Sequence, residues 1–365
     1  MEACRINVPG VNEKWRAGLK VVFRVDASLQ MGTGHVMRCL TLAQVLKDNG
    51  AKVEFICRKH EGSLIDKIHS SGLVVHELEV FEETEVDNKL AHSHWLGATQ
   101  QQDADDCINV LKAEKLDWLI VDHYALDEQW QKRLKPCYEK LMVIDDLADK
   151  FFDCDVLLNQ NLGVQIEDYK NKIRNNCKLL LGCNYALLRP EFSNLREWAL
   201  EKRKNTIAIN NILITMGGND NENITYDILQ QLDGKYNITV VLGGSPVHKD
   251  MIIDYAEGKN IKVIVDADNI AELMFEADLA IGAGGSTSWE RCCLGLPTLL
   301  YITAENQRMV AENLEKKSAV VIVKNLKYDL KMIINNFSFW KTISKQSQLV
   351  CDGMGVKKVQ EFLIK

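Results

Sequence analysis

The sequence predicts an α/β protein of two consecutive doubly wound domains that face each other across a cleft. The chain has 365 residues, which is more than one hydrophobic core usually supports. Short apolar runs alternate with longer amphipathic segments, a rhythm typical of a mostly parallel sheet with helices on both faces. A charged segment at 191–206 interrupts the rhythm once, and the pattern then starts again. These three observations place two domains on either side of a helical connector.

The first domain is predicted over 20–190 as a series of Rossmann-like βαβ units. Its clearest helix covers 35–50, where apolar residues recur near the helical period from Val36 to Leu46 and Gly50 ends the helix. The predicted strands are 20–28, 51–58, 74–78, 116–124, 141–147 and 155–161, and a second helix is predicted over 62–72.

The second domain is predicted over 207–365, behind a helical linker at 191–206. It is Rossmann-like as well, and its predicted strands are 209–218, 238–244, 261–266, 277–285 and 297–303. The segment 1–19 carries charges and a proline without a long apolar run, which is untypical of a signal peptide. We interpret it as a loose N-terminal extension.

Composition and charge narrow the class of protein. Apolar residues make up 46% and charged residues 26% of the chain, as in ordinary globular proteins. The formal net charge of -7 gives no electrostatic reason to expect nucleic acid as a partner. No apolar run is long enough to predict a membrane span. The 11 cysteines are odd in number and contain no C-x-x-C pair, which favours reduced thiols and a cytoplasmic location.

Four polar or glycine-rich motifs directly follow predicted strands. They are GTGH at 32–35, DHY at 122–124, MGGND at 216–220 and AGGSTSWE at 283–290. Ligands of doubly wound sheets bind at the carboxyl ends of the strands, and with two domains the shared cleft is the natural site. The motifs are therefore expected to line one cleft.

The GTGH motif offers a candidate general base. His35 is predicted in the first turn of its helix, where the positive end of the helix dipole disfavours imidazolium. A neutral imidazole at the mouth of a cleft can accept a proton. Asp26, at the end of the preceding strand, is a candidate for orienting it, and Gly34 would let the substrate approach closely. The alternative from the residues alone is a capping or packing histidine.

The two glycine loops of the second domain suggest a site for a nucleoside diphosphate. In 283–290, Ser286 or Thr287 can cap the helix that follows, and Glu290 lies one turn further on, within reach of a sugar diol. No Walker-type lysine accompanies the glycines. The candidate nucleotide-binding glycines are Gly217, Gly218, Gly284 and Gly285. Alternatively, these loops are ordinary turns and Glu290 is a solvated surface residue.

The remaining polar motifs carry weaker signals. Asp122, His123 and Tyr124 are candidates for holding substrate hydroxyl or amide groups, or else form an ordinary polar loop. The acidic pair in 144–146 is better explained by capping at a strand end than by a catalytic dyad. The histidines at 92–94 lack accompanying carboxylates or cysteines, so no metal site is predicted.

Several of these segments together resemble a known family. FRVDASLQMGTGHVMRCLTLAQVL is similar to the amino-terminal region of the UDP-sugar hydrolases of pseudaminic acid biosynthesis. The similarity continues in order through VDHYALDEQW, VIDDLADKFFDCDVLLNQN, YALLRPEF, ITMGGND, AIGAGGSTSWERCCLGLP and AENQ, over about 20–310. It implies a glycosyltransferase-B-like fold, with the sugar on the N-terminal domain and UDP on the C-terminal one.

The resemblance also implies roles for individual residues. His35 corresponds to the catalytic residue and Tyr124 to an active-site position. Glu290 corresponds to the carboxylate that holds the ribose hydroxyls, and Asn306 and Gln307 of AENQ correspond to a segment lining the sugar-nucleotide site. The implied reaction is hydrolysis of UDP-2,4-diacetamido-2,4,6-trideoxy-β-L-altropyranose at the anomeric C–O bond, with inversion. Its partners are the UDP-sugar and water, with no cofactor and no required metal.

Three other functions remain open from the sequence. A glycosyltransferase would share the fold and the UDP site, although no apolar, basic segment suited to docking a lipid acceptor is evident. A non-catalytic nucleotide-sugar binding domain would bind UDP without turnover. A UDP-sugar 2-epimerase would return a UDP-sugar instead of free UDP.

Overall fold

The structure contains two parallel sheets, each covered by helices. The computed structural model describes residues 18–81, 90–112, 115–217, 220–244 and 246–364. Most of the predicted extension 1–19 and the predicted site residue Gly218 lie outside these ranges. In the described part of the chain, no helix is long and apolar enough to cross a membrane.

The N-terminal sheet has the order β3-β2-β1-β4-β5-β6-β7, and its strands pair in parallel. The strands are β1 Lys20–Val25, β2 Lys52–Arg58, β3 Val74–Leu78, β4 Leu116–Asp122, β5 Tyr138–Ile144, β6 Val156–Asn159 and β7 Lys178–Leu181. The helices are α1 Gly34–Asp48, α2 Ile65–Ser70, α3 Gln100–Leu111 and α4 Glu128–Arg133, with 3₁₀ turns at Ser93–Trp95, Lys135–Cys137, Ile166–Tyr169 and Cys183–Tyr185. The six predicted strands are confirmed. The seventh, β7, was missed because a four-residue strand at a sheet edge shows no clear period.

The C-terminal sheet has the order β10-β9-β8-β11-β12-β13 and is also parallel. Its strands are β8 Asn211–Thr215, β9 Asn237–Leu242, β10 Ile261–Val265, β11 Leu279–Ala283, β12 Thr298–Tyr301 and β13 Val321–Ile322. The helices beyond the first domain are α5 Pro190–Asn205, α6 Ile224–Gln231, α7 Lys249–Ala256, α8 Ile270–Glu276, α9 Thr287–Cys293, α10 Arg308–Lys316, α11 Leu326–Asn335, α12 Phe337–Ser347 and α13 Gly355–Leu363, and a 3₁₀ turn lies at Glu305–Gln307. The two-residue β13 was not predicted.

The predicted linker at 191–206 is helix α5, and it is anchored to the C-terminal domain. The buried Arg203 guanidinium donates to the carbonyls of Met274 and Ala277 at 2.8 and 2.6 Å. These carbonyls lie at the end of α8, where a helix leaves such acceptors without partners of its own. The linker is therefore packed as part of the C-terminal domain.

The last helix, α13, packs on the other domain. Val356, Val359 and Leu363 repeat at helical spacing and are buried in the N-terminal core beside α1. The indole N–H of Trp118 in β4 donates to the Leu363 carbonyl at 2.8 Å. The structure therefore differs from the predicted C-terminal unit 207–365, because this apolar stripe covers the first sheet instead of the second.

The strand order locates the cleft. In each sheet the order of strands reverses once at the centre, between β1 and β4 and between β8 and β11. Loops leave a parallel sheet in opposite directions at such a reversal and open a crevice at the carboxyl ends. The four motifs that follow these four strands meet there.

Candidate active site

The two domains enclose a cleft of about 580 Å³ between the carboxyl ends of their sheets. From the N-terminal domain it is lined by Gly32, Gly34, His35, Arg38, Tyr124 and Asp146, among others. From the C-terminal domain it is lined by Gly217, Gly284, Gly285, Ser286, Thr287 and Gln307, among others. The cleft thus brings together most of the site residues that the sequence predicts.

His35 lies in the first turn of α1, as predicted, and is paired with a buried carboxylate. Its Nδ1 is 2.7 Å from Oδ1 of Asp122, the last residue of β4. The ionised carboxylate accepts from Nδ1–H, and in the neutral imidazole this tautomer leaves the lone pair on Nε2. The guanidinium of Arg38 also lies 3.2 Å from Nδ1. The side chain is 11% exposed and lines the cleft. This arrangement leaves Nε2 able to take a proton from a group bound in the cleft.

Asp122 is held in its ionised form by a cation that the sequence analysis missed. Arg38 donates from Nε and Nη2 to the two oxygens of Asp122 at 2.6 and 2.7 Å. Burial alone would raise the pKa of Asp122, but the charge of Arg38 and the contact with His35 hold that pKa well below its ordinary value. The sequence contains one indication that Arg38 belongs to the site: it follows His35 by three residues and so lies on the same face of the helix.

A second carboxylate, Asp146, extends this network across the floor of the cleft. It accepts from Nη1 of Arg38 at 2.7 Å, from the Tyr124 hydroxyl at 2.6 Å and from the Asn161 amide at 2.9 Å. Burial and the negative charge of Asp146 raise the pKa of Tyr124 well above its ordinary value, so Tyr124 is a neutral donor. The neighbouring Asp145 accepts from the backbone N–H of Leu147. Of the acidic pair in 144–146, only Asp145 therefore has the predicted capping role.

Asp26 does not occupy the position predicted for it. Its carboxylate contacts Arg24 at 2.6 Å, the backbone N–H of Arg58 at 2.7 Å and His123 at 3.3 Å. The reason is strand alternation: Val25 is in register with Asp122, so Asp26 and His123 both lie on the opposite face of the sheet. The orienting carboxylate of His35 is Asp122.

The histidines at 92–94 are part of an aromatic group. The ring of His92 is 4.2 Å from that of Trp95 and 5.5 Å from that of Tyr124. In the described ranges, no three histidine, cysteine or acidic side chains come together as a metal site.

The loop after β11 presents backbone donors to the cleft. The N–H of Gly284 donates to the Tyr301 carbonyl at 3.0 Å. In the described structure the next three N–H groups, those of Gly285, Ser286 and Thr287, have no acceptor. Gly285 has φ +107, a conformation that other residues rarely adopt. The hydroxyl of Ser286 makes no capping bond with α9, contrary to expectation, and is exposed. Such a run of free donors suits an anion.

The remaining predicted residues divide into those at the cleft and those beside it. A side chain at Gly284 would come within 3.0 Å of Gln307, so the two loops touch at the cleft wall. Asn306 lies in the same 3₁₀ turn as Gln307. Glu290 is the fourth residue of α9, half-buried, and does not line the described cleft. Burial raises the pKa of Glu290 to about 7 against the opposing charge of Arg189.

Comparison with known proteins gives both a family and a fold. Residues 200–337 match the glycosyltransferase family 28 C-terminal domain. The UDP-2,4-diacetamido-2,4,6-trideoxy-beta-L-altropyranose hydrolase of Campylobacter jejuni is 30% identical over 308 residues, which is 84% of this chain and 100% of that protein. An uncharacterised protein of Methanocaldococcus jannaschii is 28% identical over 320 residues, 85% of this chain but only 61% of its own length.

Among solved structures, the MurG protein of Acinetobacter baumannii has a TM-score of 0.65 at 14% identity, covering 94% of this chain and 99% of that one. This likeness concerns the fold alone. Together with the two parallel sheets, it confirms the predicted glycosyltransferase-B-like architecture.

Proposed function

Because the chain belongs to the family of the UDP-2,4-diacetamido-2,4,6-trideoxy-β-L-altropyranose hydrolases, we propose that it hydrolyses a UDP-linked 2,4-diacetamido-2,4,6-trideoxy sugar. The products are UDP and the free sugar, with cleavage of the anomeric C–O bond and inversion at that carbon. The observation that carries this proposal is the pairing of His35 with the buried Asp122 at the wall of the cleft.

In the proposed reaction His35 is the general base. Water attacks the anomeric carbon on the face opposite UDP, and the Nε2 lone pair takes one of its protons. Asp122 holds the ring in the Nδ1–H tautomer and stabilises the imidazolium as it forms. The C–O bond to UDP breaks as the new bond to water forms, and the electron pair leaves with the diphosphate. The imidazolium of His35 then releases its proton to solvent, which restores the neutral base.

The second domain stabilises the leaving group. Negative charge develops on the diphosphate oxygen as the C–O bond breaks. The free N–H groups of Gly285, Ser286 and Thr287 lie at the cleft wall and are preorganised to meet that charge. In this scheme backbone donors meet the charge, and we propose, as the family resemblance implies, that the reaction requires no metal and no cofactor. We propose a cytoplasmic location, which the ten described free cysteines support.

Incubation with the UDP-sugar in heavy-oxygen water tests the reaction type. We expect free UDP without added acceptor, with the label in the sugar. Label in UDP would move the attack to phosphorus and overturn the proposal. UDP release only when an acceptor alcohol is added would indicate a glycosyltransferase, which shares the family 28 domain matched by 200–337. Recovery of a changed UDP-sugar would indicate an epimerase, and binding without any product a silent domain.

Glu290 should make sugar-nucleotide binding depend on pH. Although Glu290 does not itself line the described cleft, it follows the cleft-lining Trp289 in α9, and we propose that its carboxylate accepts hydrogen bonds from the ribose hydroxyls, as the family resemblance implies. With a pKa of about 7, Glu290 is protonated below that pH and becomes a poorer acceptor. The Kd of the UDP-sugar should therefore rise about five- to tenfold from about pH 8 to about pH 6.

Calorimetric titration of the His35→Asn variant measures this without turnover. A UDP-sugar is the proper ligand because its diphosphate is esterified at both ends and does not titrate in this range. Glu290→Gln is the matched control and should flatten the pH profile. An unchanged slope in Glu290→Gln would show that another group titrates.

A further inference from the structure

A buried glutamine of the N-terminal domain lines the cleft and is not used by the proposed chemistry. Gln160 is the first residue after β6 and is only 4% exposed. Its Oε1 accepts the backbone N–H of Leu187 at 3.1 Å. Because a backbone N–H can only donate, this contact fixes the orientation of the amide and leaves the NH2 group at its other corner.

The NH2 group of Gln160 is available to a ligand. Within the described ranges of the chain, its Nε2 makes no hydrogen bond. The Nε2 of Gln131 also lacks a partner but is sealed in the core, whereas that of Gln160 keeps access to solvent. Since Gln160 lines the cleft, this solvent is the solvent of the cleft. A ligand that displaces it must offer an acceptor, because an unpaired buried donor costs free energy.

Gln160 extends the row of polar groups that begins beside His35. Asp122, Asp146 and Gln160 lie at the carboxyl ends of the neighbouring strands β4, β5 and β6. The residues two and four positions before each of them pack in the core beside α1, so alternation places all three on that face of the sheet. Neighbouring strands lie about 4.8 Å apart, which puts Gln160 about two spacings from the carboxylate that orients His35.

This position favours a substituent of the sugar as the acceptor. The proposed reaction places the anomeric carbon at His35 and the diphosphate on the loop after β11, so the sugar extends along the N-terminal wall. At two strand spacings, the group that reaches Gln160 is a substituent of the ring. A 2,4-diacetamido-2,4,6-trideoxy sugar carries two acetamido groups, one hydroxyl and one methyl group there. The acetamido carbonyl is the acceptor that reaches furthest from the ring.

We propose that Gln160 is a specificity-determining residue whose Nε2 donates a hydrogen bond to an acetamido carbonyl of the sugar. The N–H of Leu187 holds the amide in the orientation that this contact requires. A hydroxyl at the same ring position would fall short of Nε2 and leave the donor unpaired. The inference rests on the proposed function in placing the sugar on the N-terminal wall beside His35.

Binding measurements in the His35→Asn background test the inference without turnover. The ligands are UDP, UDP-glucose, whose ring carries hydroxyls in place of acetamido groups, and the UDP-2,4-diacetamido-2,4,6-trideoxy sugar. Gln160→Glu keeps an oxygen for the N–H of Leu187 and replaces the NH2 donor by an acceptor. We expect the Kd of the diacetamido ligand to rise about tenfold or more, while the other two Kd values change less than about twofold.

Gln160→Met and Gln131→Met form a matched pair of uncharged variants. Gln131 is a buried glutamine of α4 whose Oε1 accepts the backbone N–H of Asp153 at 2.6 Å, but it does not line the described cleft. Each substitution removes the acceptor of one backbone N–H, so both should lower the urea midpoint of unfolding. Only Gln160→Met should raise the Kd of the diacetamido ligand, by about three- to tenfold.

An unchanged Kd of the diacetamido ligand in the Gln160 variants, or an equal rise for all three ligands, would overturn the inference. An equal rise for UDP-glucose and the diacetamido ligand, with UDP unchanged, would assign Nε2 to a hydroxyl and overturn the acetamido contact. If Gln160→Met does not fold, Gln160→Glu decides by the same criteria.

Failure of the proposed hydrolysis is seen separately, in the release of free sugar by the wild-type protein. No release, together with selective affinity losses in the Gln160 variants, would remove the reaction and keep the acetamido contact. Normal release with unselective Gln160 variants would remove the contact and keep the reaction.

Discussion

His35→Asn should lower the kcat for the UDP-sugar by about 10²–10⁴-fold, the usual contribution of a positioned general base. The Kd of UDP should stay within about twofold, because the diphosphate donors belong to the other domain. Asparagine keeps polar character at the start of α1 but has no lone pair able to take a proton from water. Steady-state UDP release and calorimetric titration with UDP measure the two quantities.

The chain supplies a matched control in a second histidine–carboxylate pair. His123 lies next to Asp122 in the sequence and is 3.3 Å from Asp26, but it is buried on the other face of the sheet. Burial lowers the pKa of His123 despite the neighbouring Asp26. His123→Asn should reduce the free energy of unfolding and leave kcat within a few-fold. If His123→Asn lost turnover while His35→Asn kept it, the catalytic pair would be the buried one and the proposal would be wrong.

Asp122→Asn should affect both activity and stability. Without the charge, the His35 ring loses its fixed tautomer and Arg38 loses its main counter-ion. We expect kcat to fall by about 10²–10⁴-fold, as for other orienting carboxylates. The free energy of unfolding should fall by about 3 kcal/mol, the lower end for breaking a buried ion pair, because Asp146 still contacts Arg38. Denaturant titration and UDP-release kinetics measure the two effects.

The Asp145→Asn variant distinguishes a loss of kcat from a loss of stability. Asp145 is also buried at a strand end, where it contacts the Tyr169 hydroxyl at 2.8 Å and Lys150 at 3.3 Å. Its loss should cost stability with little change in kcat. An equal loss of kcat in Asp145→Asn would mean that Asp122 acts only through the fold.

Because folding lowers the pKa of Asp122, acid should reduce the contribution of this residue to the free energy of unfolding. A carboxyl whose pKa is depressed by folding contributes stability above its ordinary pKa, about 4, and that contribution is lost as pH falls toward the folded value. The stability difference between wild type and Asp122→Asn should therefore shrink below about pH 4.

The pattern of apolar residues along the chain was enough to predict the two-domain α/β architecture and the position of the motifs. Hydrophobic period located the strands, and each motif follows directly from the end of one. The candidate histidine was identifiable for the same reason: GTGH opens the helix after β1, and the carboxyl end of a parallel strand faces a cleft. The local sequence pattern was sufficient to predict those features that depend on contacts between residues close together along the chain.

The carboxylate that pairs with His35 could not be predicted from the sequence. Asp26 is nine residues from His35 in sequence and Asp122 is 87 residues away, yet the distant one makes the contact. That choice depends on which strands are neighbours, on the register of Val25 with Asp122 and on which face α1 covers. The same holds for Arg38 with Asp146, 108 residues apart, and for the return of α13 to the first core. Such pairings depend on which strands are neighbours and on which face of the sheet each side chain lies. The hydrophobic period of a single segment contains no information about either.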